Sequence, residues 1–226
     1  MSSSREMETS KFRPHLLVVV VGTGTEVGKT WVAARLLRDL RAEGFDVAAR
    51  KPVQSFDPGD RLTDAHVLAE ASGEDPADVS PRHRWYPVPM APPMAAEALG
   101  RAPFTIADLV DELSWPVLIP DVGMVETAGG VRSPQASDGD AITLIEALQP
   151  DLILVIADAG LGTINSIRLT LEAIDRGSHV ATPIVVLNRF DPADDLHCRN
   201  RDWLESNLEA EILASVPAVM TRLRRR

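Results

Sequence analysis

The sequence predicts a single three-layer α/β domain with a mostly parallel sheet covered by helices on both faces. Two observations predict it. Short apolar, β-branched runs alternate with helical patterns from about residue 16 to residue 213. The first run, Val18-Val19-Val20-Val21, passes through Gly22-Thr23-Gly24-Thr25-Glu26-Val27 into Gly28-Lys29-Thr30 and a helical pattern. That order of buried strand, glycine-bearing turn and helix N-terminus is the layout of a phosphate-binding loop. The 226 residues carry no repeat, domain-sized linker or low-complexity block. One domain over 15–218 is expected, after an N-terminal extension (1–14) read as disordered and before a basic tail (219–226).

The first strand is expected over 16–21 and the first helix over 29–42, with Val32, Leu36, Leu37 and Leu40 on one face. Gly44 suits the position that closes that helix. A second strand over 46–51 stops at Pro52, and the polar loop Lys51-Pro52-Val53-Gln54-Ser55-Phe56 leaves its C-terminal end. A short helix over 63–71 carries Asp64 in its first turn. Six prolines between residues 76 and 93 exclude a long helix or a central strand, so 72–93 reads as an ordered surface excursion, a lid or a partner contact. Helices follow over 93–99 and 106–113, the second with Thr105 as N-cap and Asp108 three residues on. A strand over 122–125 runs into Glu126-Thr127-Ala128-Gly129-Gly130. Helix 141–148, strand 152–157, helix 166–174, strand 184–187, helix 199–208 and strand 211–213 complete the alternation.

Composition narrows the function classes. A net charge of −10 argues against nucleic-acid binding. No apolar run approaches a bilayer span, and the polar start of the chain lacks the apolar core of a secretory signal. The only cysteine, Cys198, allows no intrachain disulfide, which fits a reducing cytoplasm. His197 beside it lacks ligand spacing and reads as a surface helix position. The chain has three lysines, Lys11, Lys29 and Lys51, so an acidic protein that binds phosphate must concentrate its charge at the last two.

In the loop, Gly24 and Gly28 let the backbone curl round an oxyanion, Lys29 reaches phosphate, and the Thr30 hydroxyl is a candidate Mg²⁺ ligand. Thr23 stands where the general pattern has glycine, and Gly22 sits one residue earlier. Glu126, an acid directly after a buried strand, needs a partner and is a candidate for the same metal. Asp64 is a second candidate, or a first-turn acid favoured by the helix dipole. Lys51 is either a ligand-edge ammonium or an exposed strand-end lysine. Asn188 has an amide suited to a nucleobase edge or to capping its own turn.

Together these segments resemble the dethiobiotin synthetases, a family of P-loop NTPase type. The resemblance rests on Gly22-Thr23-Gly24-Thr25-Glu26-Val27-Gly28-Lys29-Thr30, Lys51-Pro52-Val53-Gln54-Ser55, Asp64-Ala65, Glu126-Thr127-Ala128-Gly129-Gly130 and Leu161-Gly162-Thr163-Ile164-Asn165. A looser match is Ile212-Leu213-Ala214-Ser215-Val216-Pro217. The irregular loop spacing is the family's own. The resemblance implies a cytoplasmic homodimer that uses ATP and Mg²⁺ to carboxylate 7,8-diaminopelargonate with CO₂ or bicarbonate, phosphorylate the carbamate and close a ureido ring. It implies catalytic roles for Lys29, Lys51 and Thr25, and a metal set of Thr30, Asp64 and Glu126. Nucleotide contacts would come from Glu26, Val27, Gly28, Lys29, Thr30 and Trp31, from Asp64, from Glu126, Thr127, Ala128 and Gly129, from Asn188 and Arg189, and from Val216, Pro217 and Ala218. Substrate contacts would come from Thr25, Lys51 and Ser55, and across the dimer from Gly162, Thr163, Ile164 and Asn165, whose helix N–H groups suit a carboxylate. Thr127 replaces a usual glycine and brings a Cβ toward the carbamate. Ser166 stands for a common histidine, Phe56 and Ala214 for common glycines. Three alternatives remain at this point: a related ligase for another amine, a regulatory ATPase, and a GTPase suggested by Asn188-Arg189-Phe190-Asp191.

Overall fold

The computed structural model describes residues 13–177 and 181–224. Its centre is a six-stranded parallel sheet formed by β1 (Leu16–Gly22), β2 (Val47–Arg50), β5 (Val122–Glu126), β8 (Leu152–Asp158), β9 (Pro183–Asn188) and β10 (Glu211–Leu213). The strand order is β10-β9-β8-β1-β5-β2. β1 therefore pairs with β5 on one side and β8 on the other, in registers Leu16↔Val122 and Val18↔Leu152. The order reverses direction at β1, and its C-terminal end is where a parallel sheet opens a crevice for ligands.

Alternation along β1 builds two cores. Val18 and Val20 face the layer of α1 (Lys29–Ala42), α2 (Asp64–Ser72), the one-turn α3 (Pro76–Val79) and α9 (Val216–Leu223). Leu17, Val19 and Val21 face α6 (Ala141–Leu148), α7 (Thr163–Asp175) and α8 (Asp195–Asn207). Gly44 closes α1 at φ +90°, as its sequence position predicts. Among the described residues no helix is long and apolar enough to cross a membrane.

The proline-rich excursion is ordered. After α3 it forms a 3₁₀ turn (Arg82–Arg84), β4 (Trp85–Tyr86), which pairs with β3 (Gln54–Ser55), and α4 (Pro92–Ala98), followed by α5 (Ile106–Asp111). Tyr86 stacks on Phe104, and a third core of Val53, Tyr86, Ala95, Phe104, Ile106, Leu109 and Leu144 seats this cap on the domain. Thr105 and Asp108 form the expected reciprocal cap of α5.

Several sequence expectations are corrected. The expected basic tail is largely α9: Ser215 caps it, and Val219, Met220 and Leu223 are buried against the first core. At the other end Arg13 pairs with Asp151 at 2.8 Å and Pro14 is buried, so these two residues belong to the domain. Residues 1–12 of the expected extension lie outside the described residues. A hairpin of β6 (Pro134–Ala136) and β7 (Gly139–Asp140) was not expected. α7 begins at Thr163 and α8 at Asp195, each earlier than the apolar spacing suggests; Asp194 caps α8 by accepting from the N–H groups of Leu196 and His197.

Candidate active site

β1 delivers the phosphate loop to the switch point. Gly22 is required by packing: a Cβ there would lie 2.9 Å from the Gly24 carbonyl oxygen and from Val27 Cγ2. Gly28 begins α1 at φ +93°, and a Cβ would fall 2.1 Å from Asn188 Nδ2. Glu26, also left-handed at φ +61°, is held from the end of β9, two strands away. Asn188 Nδ2 donates to the Val27 carbonyl at 2.9 Å, and an Arg189 guanidinium nitrogen donates to the Glu26 carbonyl at 3.1 Å. The loop is thus clamped from the end of β9.

Four charged side chains converge beside it. Lys51, at the end of β2, is fully buried and not a surface lysine. Its Nζ donates to Glu126 Oε1 at 2.6 Å, Asp64 Oδ2 at 2.8 Å and the Thr127 carbonyl at 3.2 Å. The Thr30 hydroxyl lies 2.9 Å from Asp64 Oδ1 and 2.8 Å from Glu126 Oε1. One hydroxyl proton serves only one of them at a time. Lys29 Nζ donates to its own loop, the Gly24 carbonyl, at 3.0 Å.

The electrostatics follow from burial and these pairings. Burial, reinforced by Lys51, lowers the Lys29 pKa to about 8. Burial also opposes the charge on Lys51, but Asp64 and Glu126 outweigh it and raise its pKa above the ordinary lysine range. Burial opposes the charge on Asp64 as well, yet Lys51 and Thr30 together outweigh it and hold the carboxyl below its usual range. Glu126 is pushed up by complete burial and by the Asp64 charge.

The residues fit a hard divalent cation. Thr30, Asp64 and Glu126 offer only oxygen, and Glu126 Oε2 is buried with no hydrogen-bond partner among the described residues. No group of three or more acidic, histidine or cysteine side chains that could hold a metal occurs among the described residues, so phosphate oxygens and water would have to complete the shell.

Around this quartet lies a cavity of about 710 Å³. Of the residues singled out in the sequence, Thr25, Glu26, Gly28, Lys29, Thr30, Lys51, Ser55, Asp64, Glu126, Ala128 and Gly129 line it. Thr127 does not. Its side chain turns under β1, where it is fully buried and its hydroxyl donates to the Val20 carbonyl at 3.4 Å, so no Cβ stands over the cavity. Only its carbonyl, on Lys51, belongs to the quartet. Val27, Trp31, Asn188, Arg189, Val216, Pro217 and Ala218 lie outside the cavity, as do Gly162, Thr163 and Ile164. Trp31 is exposed on α1. Asn165 lines a separate groove of about 550 Å³ that shares Thr25 with the first. Ser166 returns its hydroxyl to the Gly162 carbonyl. His197 and Cys198, read from the sequence as surface helix positions, make local contacts: His197 Nδ1 accepts from the Asp191 N–H, and Cys198 Sγ faces the Pro192 carbonyl.

Sequence reasoning missed part of the wall. Phe56, Leu62, Pro89, Met90 and Pro92 form an apolar side, so the proline-rich cap is a cavity wall. Gln135, on the unexpected hairpin, straps the acidic loop by accepting from the Ala128 N–H at 2.9 Å and donating to the Ala128 carbonyl at 2.7 Å. Gln54 lines the cavity between Lys51 and Ser55; its position inside a motif already singled out was the available signal.

Comparison with known proteins agrees with this frame. A family model described as an AAA domain matches residues 17–221. A plasmid partition protein from Borrelia burgdorferi has the same fold at TM-score 0.56 and 10% identity, covering 94% of this chain and 95% of that one. A putative partition protein from the same organism, bound to AMPPNP, aligns at TM-score 0.52 and 11% identity over 93% and 88%. Such identities speak for fold alone. Closer in sequence is the ATP-dependent dethiobiotin synthetase BioD of Anaeromyxobacter dehalogenans strain 2CP-C, 40% identical over 181 residues and 78% of both chains. The Caulobacter vibrioides protein of that name is 40% identical over 77% of this chain and 81% of its own. That of Streptomyces coelicolor is 32% identical over 89% and 84%. At such identity over most of its length, the chain belongs to the ATP-dependent dethiobiotin synthetase family.

Proposed function

We propose that the chain closes the ureido ring of dethiobiotin, converting 7,8-diaminopelargonate, CO₂ and ATP to dethiobiotin, ADP and phosphate. An amine adds to CO₂ and loses a proton, giving a carbamate. A carbamate oxygen takes the γ-phosphoryl group and ADP leaves. The second amine attacks the carbamoyl carbon and expels phosphate. The observation that supports this most is the Lys29–Lys51–Asp64–Glu126 quartet lining one cavity beside the phosphate loop. A carbamate is a weak nucleophile, so the site must align it with the γ-phosphate and neutralise charge, not supply a covalent nucleophile.

In this reading Lys29 leaves the Gly24 carbonyl for phosphate, and Lys51 faces the transferring group and the mixed anhydride. Thr25 and Ser55 contact the diamine or its carbamate. Thr30, Asp64 and Glu126 would hold Mg²⁺, which offsets the phosphate charge when bound. Asn188 reads the adenine edge with Val216, Pro217 and Ala218 beside it, although in the resting protein its amide is engaged on the loop. The protein works as a homodimer in the cytoplasm, with the turn Gly162-Thr163-Ile164-Asn165 receiving the carboxylate of the partner's substrate.

Phosphate release with ATP, bicarbonate and the diamine, omitting each in turn, tests the assignment. Release should require all three. Glu126→Gln should lower it, with partial rescue at higher Mg²⁺. Release that ignores the diamine would sink the assignment, and an unchanged Mg²⁺ requirement in the variant would remove Glu126 from the metal set.

A further inference from the structure

The outer groove, about 550 Å³, opens off the reactive cavity, since Thr25 and Ser133 line both. Among the described residues Arg132 is the only charged one that lines it. More than half of its side chain is exposed, and its Nη1 donates to Asp140 Oδ2 at 2.8 Å. Asp140 is itself fixed, because its Oδ1 accepts from the N–H groups of Ile142 and Thr143 at the start of α6. Arg132 makes no other hydrogen bond or ion pair among the described residues, so the other donors of its planar fork are left for a ligand.

The composition of the groove narrows the class of that ligand. Val131, Pro134 and Leu169 give it an apolar flank, and Leu169 is more than half exposed. One cation beside an apolar flank fits an aliphatic chain that ends in a single anion. The diamine is such a molecule, with its carboxylate at the far end of a polymethylene chain from the two amines. The phosphates belong elsewhere: Gly28, Lys29 and Thr30 line the inner cavity and not the groove. The carbamate forms at the amines, beside Lys51, which does not line the groove either. A chain of net charge −10 repels an anionic substrate, and a helix N-terminus offers only a partial positive charge. A full cation in the groove answers that repulsion.

We propose that Arg132 binds the tail carboxylate of the diamine and makes the enzyme select a charged tail over a neutral one. This rests on the dethiobiotin synthetase reading and deepens it. Arg132, on the loop after β5, adds a full charge to the partial one at the start of α7, whose Asn165 lines the same groove. Asp140 is a positioning residue: it holds the guanidinium in place and does not itself meet the tail.

Arg132→Leu removes the charge at a largely exposed position and keeps an aliphatic side chain. The KM for the diamine should rise about tenfold or more, with kcat and the ATP KM within about twofold of the wild type. The primary amide of the diamine's carboxyl group has the same length and no charge. Wild type and variant should use this amide about equally well, so that the preference for the acid collapses in the variant. Arg132→Lys keeps the charge without the fork and should recover part of that preference. Should the variants fold poorly, the wild type itself serves: added salt should raise the KM for the acid and leave that for the amide flat. An unchanged diamine KM in a folded Arg132→Leu protein would leave Arg132 a surface partner of Asp140 and overturn the proposal. So would an acid KM no more sensitive to salt than the amide's. An equal rise for acid and amide would mean packing, and a matching loss of ATP affinity would mean phosphate; either overturns it. Failure of the underlying reading looks different: the wild type would then release no phosphate with acid or amide in the presence of ATP and bicarbonate.

Discussion

Lys29 shows how a single residue serves the site at the expense of the fold. It is buried, and its pKa of about 8 lies below the ordinary lysine value. The folded protein therefore holds this proton less firmly than the unfolded chain does. Between about pH 8 and the ordinary lysine value stability rises with pH; below pH 8 the buried charge carries its full cost. Lys29→Met should accordingly raise the melting temperature by a few degrees at pH 7, and that gain should shrink as pH climbs past 8. Turnover should fall by about two orders of magnitude or more, because the lost contact strengthens on the transferring phosphoryl group. A variant less stable at pH 7, or one with near-normal turnover, would contradict this role. Lys29 was legible in the sequence from the glycine-bearing loop and Glu126 from its position at a strand end, whereas Lys51 stayed open between the ligand edge and an exposed strand end. Their mutual engagement was not legible: the near-saturation of Lys51 depends on distances between β2, β5 and α2 that no local pattern encodes. The direction of Thr127 was hidden for the same reason, since which way a strand-end side chain turns is decided by the neighbouring strand.

At the scale of elements, strong periodicity was readable and weak periodicity was not. The valine run of β1 and the apolar face of α1 gave strand, loop and helix directly. α9 was hidden because Val216, Val219, Met220 and Leu223 keep helical spacing inside a segment whose arginines suggest a solvated tail. The β6–β7 hairpin has no alternating apolar signature and was hidden as well. α9 offers a direct check. Met220 is 2% exposed within the core shared with α1, so Met220→Ala should cost about 2–5 kcal/mol in denaturant unfolding. A residue of a free tail would cost nothing measurable.

On the scale of the whole molecule, two grooves meet at Thr25 and Ser133, one holding the charged quartet and the other lined by Asn165 and the start of α7. A second subunit seated along the outer groove would place its substrate's carboxylate at the N-terminus of α7. Gly162 caps that helix at φ +89°, and no atom lies within 4 Å of where its Cβ would stand, so a side chain there meets open space but a strained backbone. Gly162→Glu should weaken diamine binding at least tenfold and leave ATP binding unchanged, as read by titrating each ligand into the variant. Equal loss of both would mean misfolding, and unaltered diamine binding in a folded dimer would remove α7 from the site. The sheet order has a further consequence for how the chain is made. β1 ends up between β5 and β8, yet a ribosome delivers it first, and those partners begin only at Val122 and Leu152. At about 5–20 residues per second, the most apolar strand waits on the order of ten seconds for its second neighbour. Throughout that interval it is an open edge that a chaperone must shield or another nascent chain can capture. Slower translation between β5 and β8 lengthens the exposure without altering one atom of the finished enzyme.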